Sequence, residues 1–407
     1  MVSQLDSNQP KNSRRDFVKG AVALMVSPLL GCGSGSGRTQ STNTNAELKT
    51  LLNKAWESRY LGKKGGLTLH MIAPNGEFFA SSIPNVGADS HFRGASITKT
   101  FTAASIMLLV QEQRLSLDAA LSDVLPDAKI PFNDIIKIRH LLNHTAGVFD
   151  LVNNAVPKNN PQFPLADKYN YAGMSYLEWV SNQDANHSFT KDELIQVLID
   201  TQLYKTLPNK EFHYSDQHFT ILGKVVEVVS GMSLNEYVTY NFLAPSGMDS
   251  THFETDGSRW NLPIPLIKGY TIGRGESVEH ETTDYNYSYD PGSGNLISTS
   301  KDLVRWMRRL LKGQTPVNAE TIKSMTTVSA PSIYYGLGMA HMKTLSNVSL
   351  GWGHTGGTEG YLTDAYHDPI TDVTYVLQCA LYDSEQTISQ AIWMADTVLK
   401  ARSLLGY

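Results

Sequence analysis

Cysteine is almost absent from this 407-residue sequence, which contains only Cys32 and Cys379. We assign Cys32 to a leader segment below, so the rest of the chain is expected to contain no intramolecular disulfide. Cys379 lies in the apolar run 373–381. It is therefore predicted to be a small buried apolar residue and not a reactive thiol.

Several catalytic and binding motifs are also missing. The chain has no Gly-x-Ser-x-Gly, no His-Glu-x-x-His, no His-x-His pair and no glycine signature for phosphates or dinucleotides. His140 and His144 have no acidic residue between them and are interpreted as structural. The formal net charge is −5, without a basic block. We therefore expect no metal, no cofactor and no nucleic-acid partner.

The first 32 residues are predicted to be an export signal. Arg14 and Arg15 form the pair of a twin-arginine signal, and the apolar run 21–30 that follows is too short to span a bilayer. The run ends in Leu29-Leu30-Gly31-Cys32, which resembles a bacterial lipobox. We expect Cys32 to be lipidated and the protein to be periplasmic or cell-surface, held at a membrane by that anchor. The alternative is a cleaved signal with an incidental cysteine.

The rest of the chain predicts an α/β (α+β) fold. Segments 46–60 and 385–405 show helical spacing, whereas 67–72, 77–81, 361–366 and 373–381 resemble strands. We predict an antiparallel sheet flanked by N- and C-terminal helices, with an inserted mainly helical domain. Segment 33–45 is predicted to be a flexible tether. Within the main domain, 46–407, residues 46–95 and about 270–407 are predicted to form a sheet lobe, and about 96–269 a helical lobe.

Ser96-Ile97-Thr98-Lys99 is the candidate catalytic motif. It precedes the apolar run 101–110, which predicts a buried helix whose first turn can face a cleft. Ser96 and Lys99 are three residues apart and share a helix face. The positive end of the helix also favours negative charge that develops beside Ser96. The alternative is an N-cap serine and a solvated lysine.

Two other Ser-x-x-Lys sequences begin at Ser188 and Ser298. The first is too close to Tyr214 to leave a domain between them. The second resembles the start of a capped helix, with Ser300 as the predicted N-cap. The setting therefore favours Ser96.

Two further motifs follow along the chain. Tyr214-Ser215-Asp216 supplies a phenol that can carry a proton, and His354-Thr355-Gly356 is a glycine-rich edge that can expose a backbone amide.

Segment 149–188 is rich in Asn, Pro and Tyr without a clear period. We interpret this segment as a decorated surface, and the alternative is a loop that covers the site.

In the order of these motifs, the chain resembles the penicillin-binding-protein-like serine hydrolases. The resemblance extends over about 67–381 and includes the stretches 139–147, 212–216, 245–248, 292–299, 335–338 and 353–357. This superfamily contains class C β-lactamases, D-alanyl-D-alanine carboxypeptidases and related esterases and D-aminopeptidases. The resemblance implies a β-lactamase/transpeptidase-like fold.

The resemblance also implies roles for individual residues. Ser96 would be the nucleophile, and Lys99 and Tyr214 would handle its proton, with either as the general base. The backbone amides of Ser96 and Gly357 would form the oxyanion hole. The residues Asp216, His354, Thr355 and Gly356 would contact the substrate.

Two positions depart from the family pattern. Asp216 stands where Asn is usual, and a carboxylate accepts hydrogen bonds but cannot donate them. A carboxylate beside Lys99 also favours the charged amine, which shifts the work of a base towards Tyr214. His354 stands where β-lactamases commonly have Lys, and a partly charged histidine is a weaker anchor for a β-lactam carboxylate.

We therefore expect a D-alanyl-D-alanine carboxypeptidase-like peptidase or an esterase that forms an acyl-enzyme on Ser96. Its substrate would be a small peptide, amide or ester, with the cell wall as one source. The alternatives are a class C-like β-lactamase and a non-catalytic relative that binds peptidoglycan or a protein.

Overall fold

The computed structural model describes residues 40–168, 171–255, 257, 261–344 and 347–407. The predicted leader, with Arg14, Arg15 and Cys32, lies outside the described residues. Helix α1 (Gln40–Tyr60) begins inside the segment predicted to be a tether. Asn43 donates a hydrogen bond to Glu47 at 3.1 Å. Such i,i+4 contacts stabilise a helix start that has little apolar pattern.

A six-stranded antiparallel sheet forms the centre of the fold, in the order β2-β1-β11-β10-β9-β8. Its strands are β1 (Leu67–Ala73), β2 (Gly76–Ser81), β8 (Ala340–Lys343), β9 (Ser349–Thr358), β10 (Tyr361–Asp368) and β11 (Val373–Cys379). Strand β1, from the N-terminal part, pairs with β11, from the C-terminal part. The predicted α/β fold with one antiparallel sheet built from both chain ends is confirmed.

Each face of this sheet covers a separate hydrophobic core. Helix α1 and the C-terminal helix α12 (Thr387–Leu404) cover one face, where Leu48, Leu377 and Met394 are buried. The other face packs mainly on the helix Ser300–Leu311, which follows β7 in the sequence. In β11, Leu377 belongs to the first core and its neighbour Val376 to the second, so a shift of one residue in register would exchange the two faces.

The helical part lies between β3 (His91–Ala95) and β7 (Leu296–Thr299) in the sequence. Its helices are α2 (Thr98–Gln111), α3 (Leu121–Val124), α4 (Ile138–Leu142), α5 (Tyr176–Gln183), α6 (Lys191–Thr201), α7 (Asp216–Ser230), α8 (Leu234–Val238) and α9 (Ala244–Ser246), with a 3-10 turn at Ala166–Lys168 and a π-helical turn at Thr239–Leu243. Helix α2 is buried along most of its length, as its apolar sequence predicts.

Two small sheets and two further helices complete the fold. The sheets are β3-β7-β4 and β12-β5-β6, with β4 (His252–Phe253), β5 (Tyr270–Ile272), β6 (His280–Glu281) and β12 (Leu381–Asp383). The helices are α10 (Ser300–Leu311) and α11 (Ala319–Met325). The N-cap of α10 is Thr299, whose side chain accepts from the backbone of Asp302, so the prediction of Ser300 was wrong by one residue.

Within the described part of the chain, no helix combines the length and apolar character needed to cross a bilayer. Cys379 is fully buried, as predicted, and burial raises the pKa of its thiol to about 12. At neutral pH the thiol is therefore protonated, which agrees with a packing role.

Candidate active site

Ser96 lies at a sharp turn between β3 and α2. Ala95, the residue before it, has a φ of 46°, a left-handed conformation that is uncommon for a residue other than glycine. The turn leaves Ser96 half-buried while its neighbours Ala95 and Ile97 are buried. Strained backbone of this kind is maintained by the surrounding fold and is often found at functional sites. The local sequence thus presents one hydroxyl at the start of a buried helix.

Lys99 is fully buried and makes three hydrogen bonds. Its Nζ lies 3.1 Å from Ser96 Oγ, 2.7 Å from Asp216 Oδ1 and 2.8 Å from the carbonyl oxygen of Ser293. An ammonium has three protons to donate, and each has an acceptor here. The geometry therefore fits the charged form of Lys99, held beside the hydroxyl of Ser96.

Tyr214 contacts the same hydroxyl from the loop before α7. Its OH donates to Ser96 Oγ at 3.0 Å, and its ring centroid lies 5.0 Å from Lys99 Nζ. Burial raises the pKa of Tyr214 well above its usual range, and the charges of Asp216 and Asp290 raise it further. The phenol is therefore protonated at neutral pH. Ser96 Oγ thus receives hydrogen bonds from two residues that the sequence analysis singled out.

Asp216 is buried at the first residue of α7, where the helix dipole favours a carboxylate. Its Oδ2 accepts from Asn153 Nδ2 at 2.7 Å, while its Oδ1 is bound to Lys99. Asn153 Nδ2 also lies 3.0 Å from Oδ2 of Asp150, a second buried carboxyl group. The amide of Asn153 therefore bridges two carboxylates on one side of the site.

The pKa of Asp150 is shifted by this arrangement. Burial and the nearby charge of Asp216 raise the pKa of Asp150 to about 6, while hydrogen bonds from Asn153 and from the backbone of Val152 lower it. At neutral pH the carboxyl group of Asp150 is thus expected to be largely ionised, beside the ion pair of Asp216 with Lys99.

His354 is buried on β9, with both ring nitrogens engaged within the protein. Its Nδ1 lies 2.7 Å from the carbonyl of Thr355, and its Nε2 lies 2.9 Å from the OH of Tyr335. A carbonyl only accepts, so Nδ1 carries the proton and Tyr335 donates to Nε2. Burial, and then the charge of Lys99, lower the pKa of His354 to about 3. His354 is therefore uncharged at neutral pH, instead of the partly charged cation expected from the sequence.

The hydroxyl of Thr355 also contacts protein groups. It donates to Asp364 Oδ1 at 2.6 Å and lies 2.8 Å from the OH of Tyr366. Both partners are on the neighbouring strand β10. The substrate contacts predicted for Thr355 and His354 stay predictions, and their polar atoms are held by these internal bonds.

Gly356 and Gly357 bring β9 close to the turn of Ser96. A Cβ on Gly356 would lie 2.1 Å from the carbonyl oxygen of Gly94, so only glycine fits this approach. Gly357 is half-buried, opposite Leu362 in the register of β10. The fold thus places the strand with the predicted oxyanion-hole amide of Gly357 next to the β3–α2 turn. The oxyanion-hole role itself stays a prediction.

Several groups at the site were not predicted from the sequence. Asp150 and Asn153 come from segment 149–188, so the interpretation of this segment as decorated surface is wrong for its first residues. The carbonyl of Ser293 and the OH of Tyr335 were also missed as partners. One signal in the sequence was available for Asp150: it lies three residues after the stretch 139–147, which is part of the family resemblance. No spacing pattern, however, connects Asp150 or Asn153 to Asp216.

No cluster of three or more potential metal ligands occurs among the described residues. The polar groups that surround Ser96 are instead paired with each other, Lys99 with Asp216 and Tyr335 with His354. This donor set can hold and move a proton at a serine hydroxyl.

Comparison with curated proteins finds relatives of moderate similarity. Penicillin-binding protein 4* of Bacillus subtilis is 26% identical over 290 residues, which is 68% of this chain and 57% of the relative. Protein flp of Staphylococcus aureus is 27% identical over 220 residues, which is 53% of this chain and 37% of the relative. The chain thus spans about half the length, or less, of the curated relatives it matches.

Solved structures have the same fold. A D-stereospecific amidohydrolase from Streptomyces sp. superposes with a TM-score of 0.68 at 24% identity, covering 84% of this chain and 98% of the other. D-amino acid amidase from Ochrobactrum anthropi, complexed with L-phenylalanine amide, gives 0.71 at 19% identity, covering 89% and 100%. The profile of the Beta-lactamase family matches residues 55–396. The chain therefore belongs to the Beta-lactamase family, within the penicillin-binding-protein-like serine hydrolase superfamily.

Proposed function

We propose that this protein is a serine hydrolase that forms an acyl-enzyme on Ser96. One observation carries the proposal: Ser96 Oγ receives hydrogen bonds from both Lys99 Nζ, at 3.1 Å, and Tyr214 OH, at 3.0 Å. A structural N-cap serine would need neither a buried ammonium nor a phenol at its oxygen. A non-catalytic binding relative would not need them either.

The geometry supports a proton relay through Tyr214. The O–H of Tyr214 first turns from Ser96 Oγ towards the leaving group. When Ser96 Oγ attacks the substrate carbonyl, the proton of Ser96 passes to the oxygen of Tyr214, and the proton already on Tyr214 passes to the leaving group. The new bond joins Ser96 Oγ to the acyl carbon, and the bond from that carbon to the leaving nitrogen or oxygen breaks. Water then attacks the acyl carbon and passes a proton to the oxygen of Tyr214. The bond from that carbon to Ser96 Oγ breaks, Ser96 Oγ takes the proton that was on Tyr214, and the acid is released.

Lys99 has an electrostatic role in this proposal. Its Nζ has three acceptors, one of them the carboxylate of Asp216, an arrangement that fits an ammonium. A fixed ammonium 3.1 Å from Ser96 Oγ stabilises negative charge on that oxygen during attack. Tyr214 keeps its proton because burial disfavours its anion, and so suits the role of a relay and not of a free tyrosinate base.

The charge of the site favours a substrate that carries an amine. Above a pH of about 6, the carboxylate of Asp150 adds a negative charge to the ion pair of Asp216 with Lys99, and His354 is uncharged. A substrate carboxylate would be repelled by this excess negative charge, whereas an ammonium would be attracted. We therefore propose an amide or ester of an amine-bearing acyl group as the substrate class, ahead of a carboxypeptidase or β-lactamase substrate.

The names of two fold neighbours, an amidohydrolase and an amidase complexed with an amino acid amide, suggest the probes. An amino acid amide, its N-acetylated form, an N-acetylated dipeptide with a free carboxylate and a cephalosporin would be compared by kcat/KM. We expect the free-amine amide to be the best substrate. A best rate on the dipeptide or the cephalosporin would contradict the proposed substrate class and leave the acyl-enzyme proposal intact.

Asp216→Asn is expected to lower the preference for the free-amine amide over its N-acetylated form by about tenfold, or 1.4 kcal/mol, because one buried negative charge is removed. The ratio of the two kcat/KM values measures this effect independently of the active fraction. Asp118→Asn is the matched control, since Asp118 is an exposed carboxylate paired with Lys137 and Arg139. An unchanged ratio in Asp216→Asn would exclude Asp216 as the source of the preference.

We also propose that the protein is exported by the twin-arginine route and anchored through a lipid on Cys32, in the periplasm or at the cell surface. The sequence around Arg14-Arg15 and Leu29-Leu30-Gly31-Cys32 supports this. We expect Cys32→Ala to move the protein from the membrane fraction to the soluble fraction of the producing cell. Cys379→Ala is the control, because Cys379 is buried. Membrane retention of Cys32→Ala would exclude this anchor.

A further inference from the structure

His144 is a fully buried histidine directly behind Tyr214. Its ring stacks on the ring of Tyr214, with centroids 4.1 Å apart and an angle of 30° between the planes. The rings of Tyr335 and Phe219 close around it at 4.8 and 5.2 Å. The φ of His144 is 58°, so this residue also occupies a left-handed turn, just after α4. The proposed mechanism does not use His144.

The backbone on both sides of Tyr214 is hydrogen-bonded to His144. The N–H of His213 donates to the carbonyl of His144 at 2.8 Å, and the N–H of Ser215 donates to His144 Nδ1 at 3.3 Å. One residue thus binds the peptide groups before and after Tyr214 and covers its ring. Together these contacts restrict where the phenol oxygen can lie relative to Ser96.

His218 determines which ring nitrogen of His144 is the acceptor. The N–H of Val148 donates to His218 Nε2 at 3.2 Å, so the proton of His218 is on Nδ1. That nitrogen lies 3.0 Å from His144 Nδ1, to which it donates. Burial lowers the pKa of His144 well below its usual range and that of His218 to about 3, so both rings are neutral. The Nδ1 of a neutral His144 has one lone pair, which the N–H of Ser215 and the Nδ1–H of His218 share, so the proton of His144 is on Nε2.

We propose that His144 is a positioning residue for Tyr214, holding the phenol against Ser96 Oγ through two backbone hydrogen bonds and ring stacking, with His218 fixing its tautomer. This inference rests on the proposed function, in which Tyr214 relays the proton to the leaving group. An amine leaving group needs that proton, whereas p-nitrophenolate leaves without it. A displaced Tyr214 should therefore slow amide cleavage more than cleavage of an activated ester.

Two variants each remove one kind of contact that His144 makes: the stacked ring or the hydrogen-bond acceptor for Ser215. His144→Asn keeps an acceptor close to the position of Nδ1 and tolerates the positive φ, but loses the stacked ring. His144→Phe keeps a ring but has no acceptor for Ser215. The matched control is His140→Asn, because His140 Nδ1 likewise accepts a backbone N–H, from Lys137 at 3.1 Å, and belongs to α4. Tyr214→Phe provides the reference for complete loss of the relay.

The measurement is kcat/KM for the amide and the p-nitrophenyl ester of one acyl group, a quantity that reports the steps up to acylation. In both His144 variants, kcat/KM for the amide is expected to fall by about 10- to 100-fold. The factor by which kcat/KM for the ester falls should be about ten times smaller. Tyr214→Phe should show the same pattern with larger losses, and His140→Asn should leave the ratio of amide to ester unchanged. Thermal unfolding would identify a variant that fails to fold. If His144→Phe does not fold, the comparison relies on His144→Asn.

The possible outcomes are distinct. If Tyr214→Phe discriminates between amide and ester but the folded His144 variants lose both activities equally, the positioning role is overturned and His144 is only structural. Unchanged amide activity in both His144 variants would overturn it as well. If Tyr214→Phe itself does not discriminate, the proposed relay fails, and the positioning role fails with it.

Discussion

Ser96→Ala is expected to lower kcat/KM for every amide and ester substrate by at least about 10⁴-fold, because the oxygen that forms the acyl bond is removed. The fold should be retained. Lys99 keeps two of its three acceptors, Asp216 and the carbonyl of Ser293, so no buried charge is left unpaired. Steady-state kinetics and thermal unfolding of the purified variant would measure the two effects.

Ser188→Ala is the matched control for that substitution. Ser188 begins another Ser-x-x-Lys sequence, but it is exposed and its hydroxyl accepts from the backbone of Gly257. We expect this variant to retain wild-type kinetics. Turnover of Ser96→Ala within about tenfold of wild type would contradict the role of Ser96 as the nucleophile. Either another group would be the nucleophile, or the chain would be a binding relative and the activity would come from a contaminating enzyme in the preparation.

Lys99→Met is expected to affect both activity and stability. Activity should fall by about 10³-fold or more, since the ammonium that stabilises charge on Ser96 Oγ is lost. The free energy of unfolding should fall by about 3–5 kcal/mol, because Asp216 is buried and loses its ion-pair partner. Denaturant unfolding and kcat/KM would report these losses separately.

A double variant separates the two losses. In Lys99→Met with Asp216→Asn, the buried position 216 no longer carries a charge, so at least about 2 kcal/mol of stability should return. Activity should not return, because neither substitution restores an ammonium beside Ser96. Recovery of activity in the double variant, or no recovery of stability, would contradict the assigned role of the Lys99–Asp216 pair.

The outer elements of the fold were predictable from local sequence. Strand β1 is buried along nearly its whole length, and β2 is buried in its second half. The two strands are joined by the turn at Pro74-Asn75, so the hairpin was predictable from this short stretch of sequence alone. The C-terminal strands and α12 are similarly encoded, with small shifts at their ends. The start of α1 at Gln40 was not predicted because the polar segment 40–45 has no apolar spacing.

The candidate site was predictable only in part. Ser96, Lys99 and Tyr214 lie in motifs, and the structure brings all three into contact. The charge of His354 was not predictable, since it depends on burial and on a hydroxyl from Tyr335, 19 residues away in sequence. The contact between Asn153 and Asp216 spans 63 residues. Such long-range polar contacts are fixed by the packing of the two parts of the fold and leave no periodic signal in the sequence.

Trapping the acyl-enzyme tests the central proposal most directly. A slowly released ester or β-lactam would be mixed with the purified enzyme, quenched in acid within milliseconds to seconds, and digested for peptide mass analysis. We predict a mass increase equal to the acyl group on the peptide that contains Ser96, in the wild-type protein and in Ser188→Ala, and none in Ser96→Ala. An adduct on another residue, or turnover in Ser96→Ala at the wild-type rate, would contradict the assignment of Ser96 as the nucleophile.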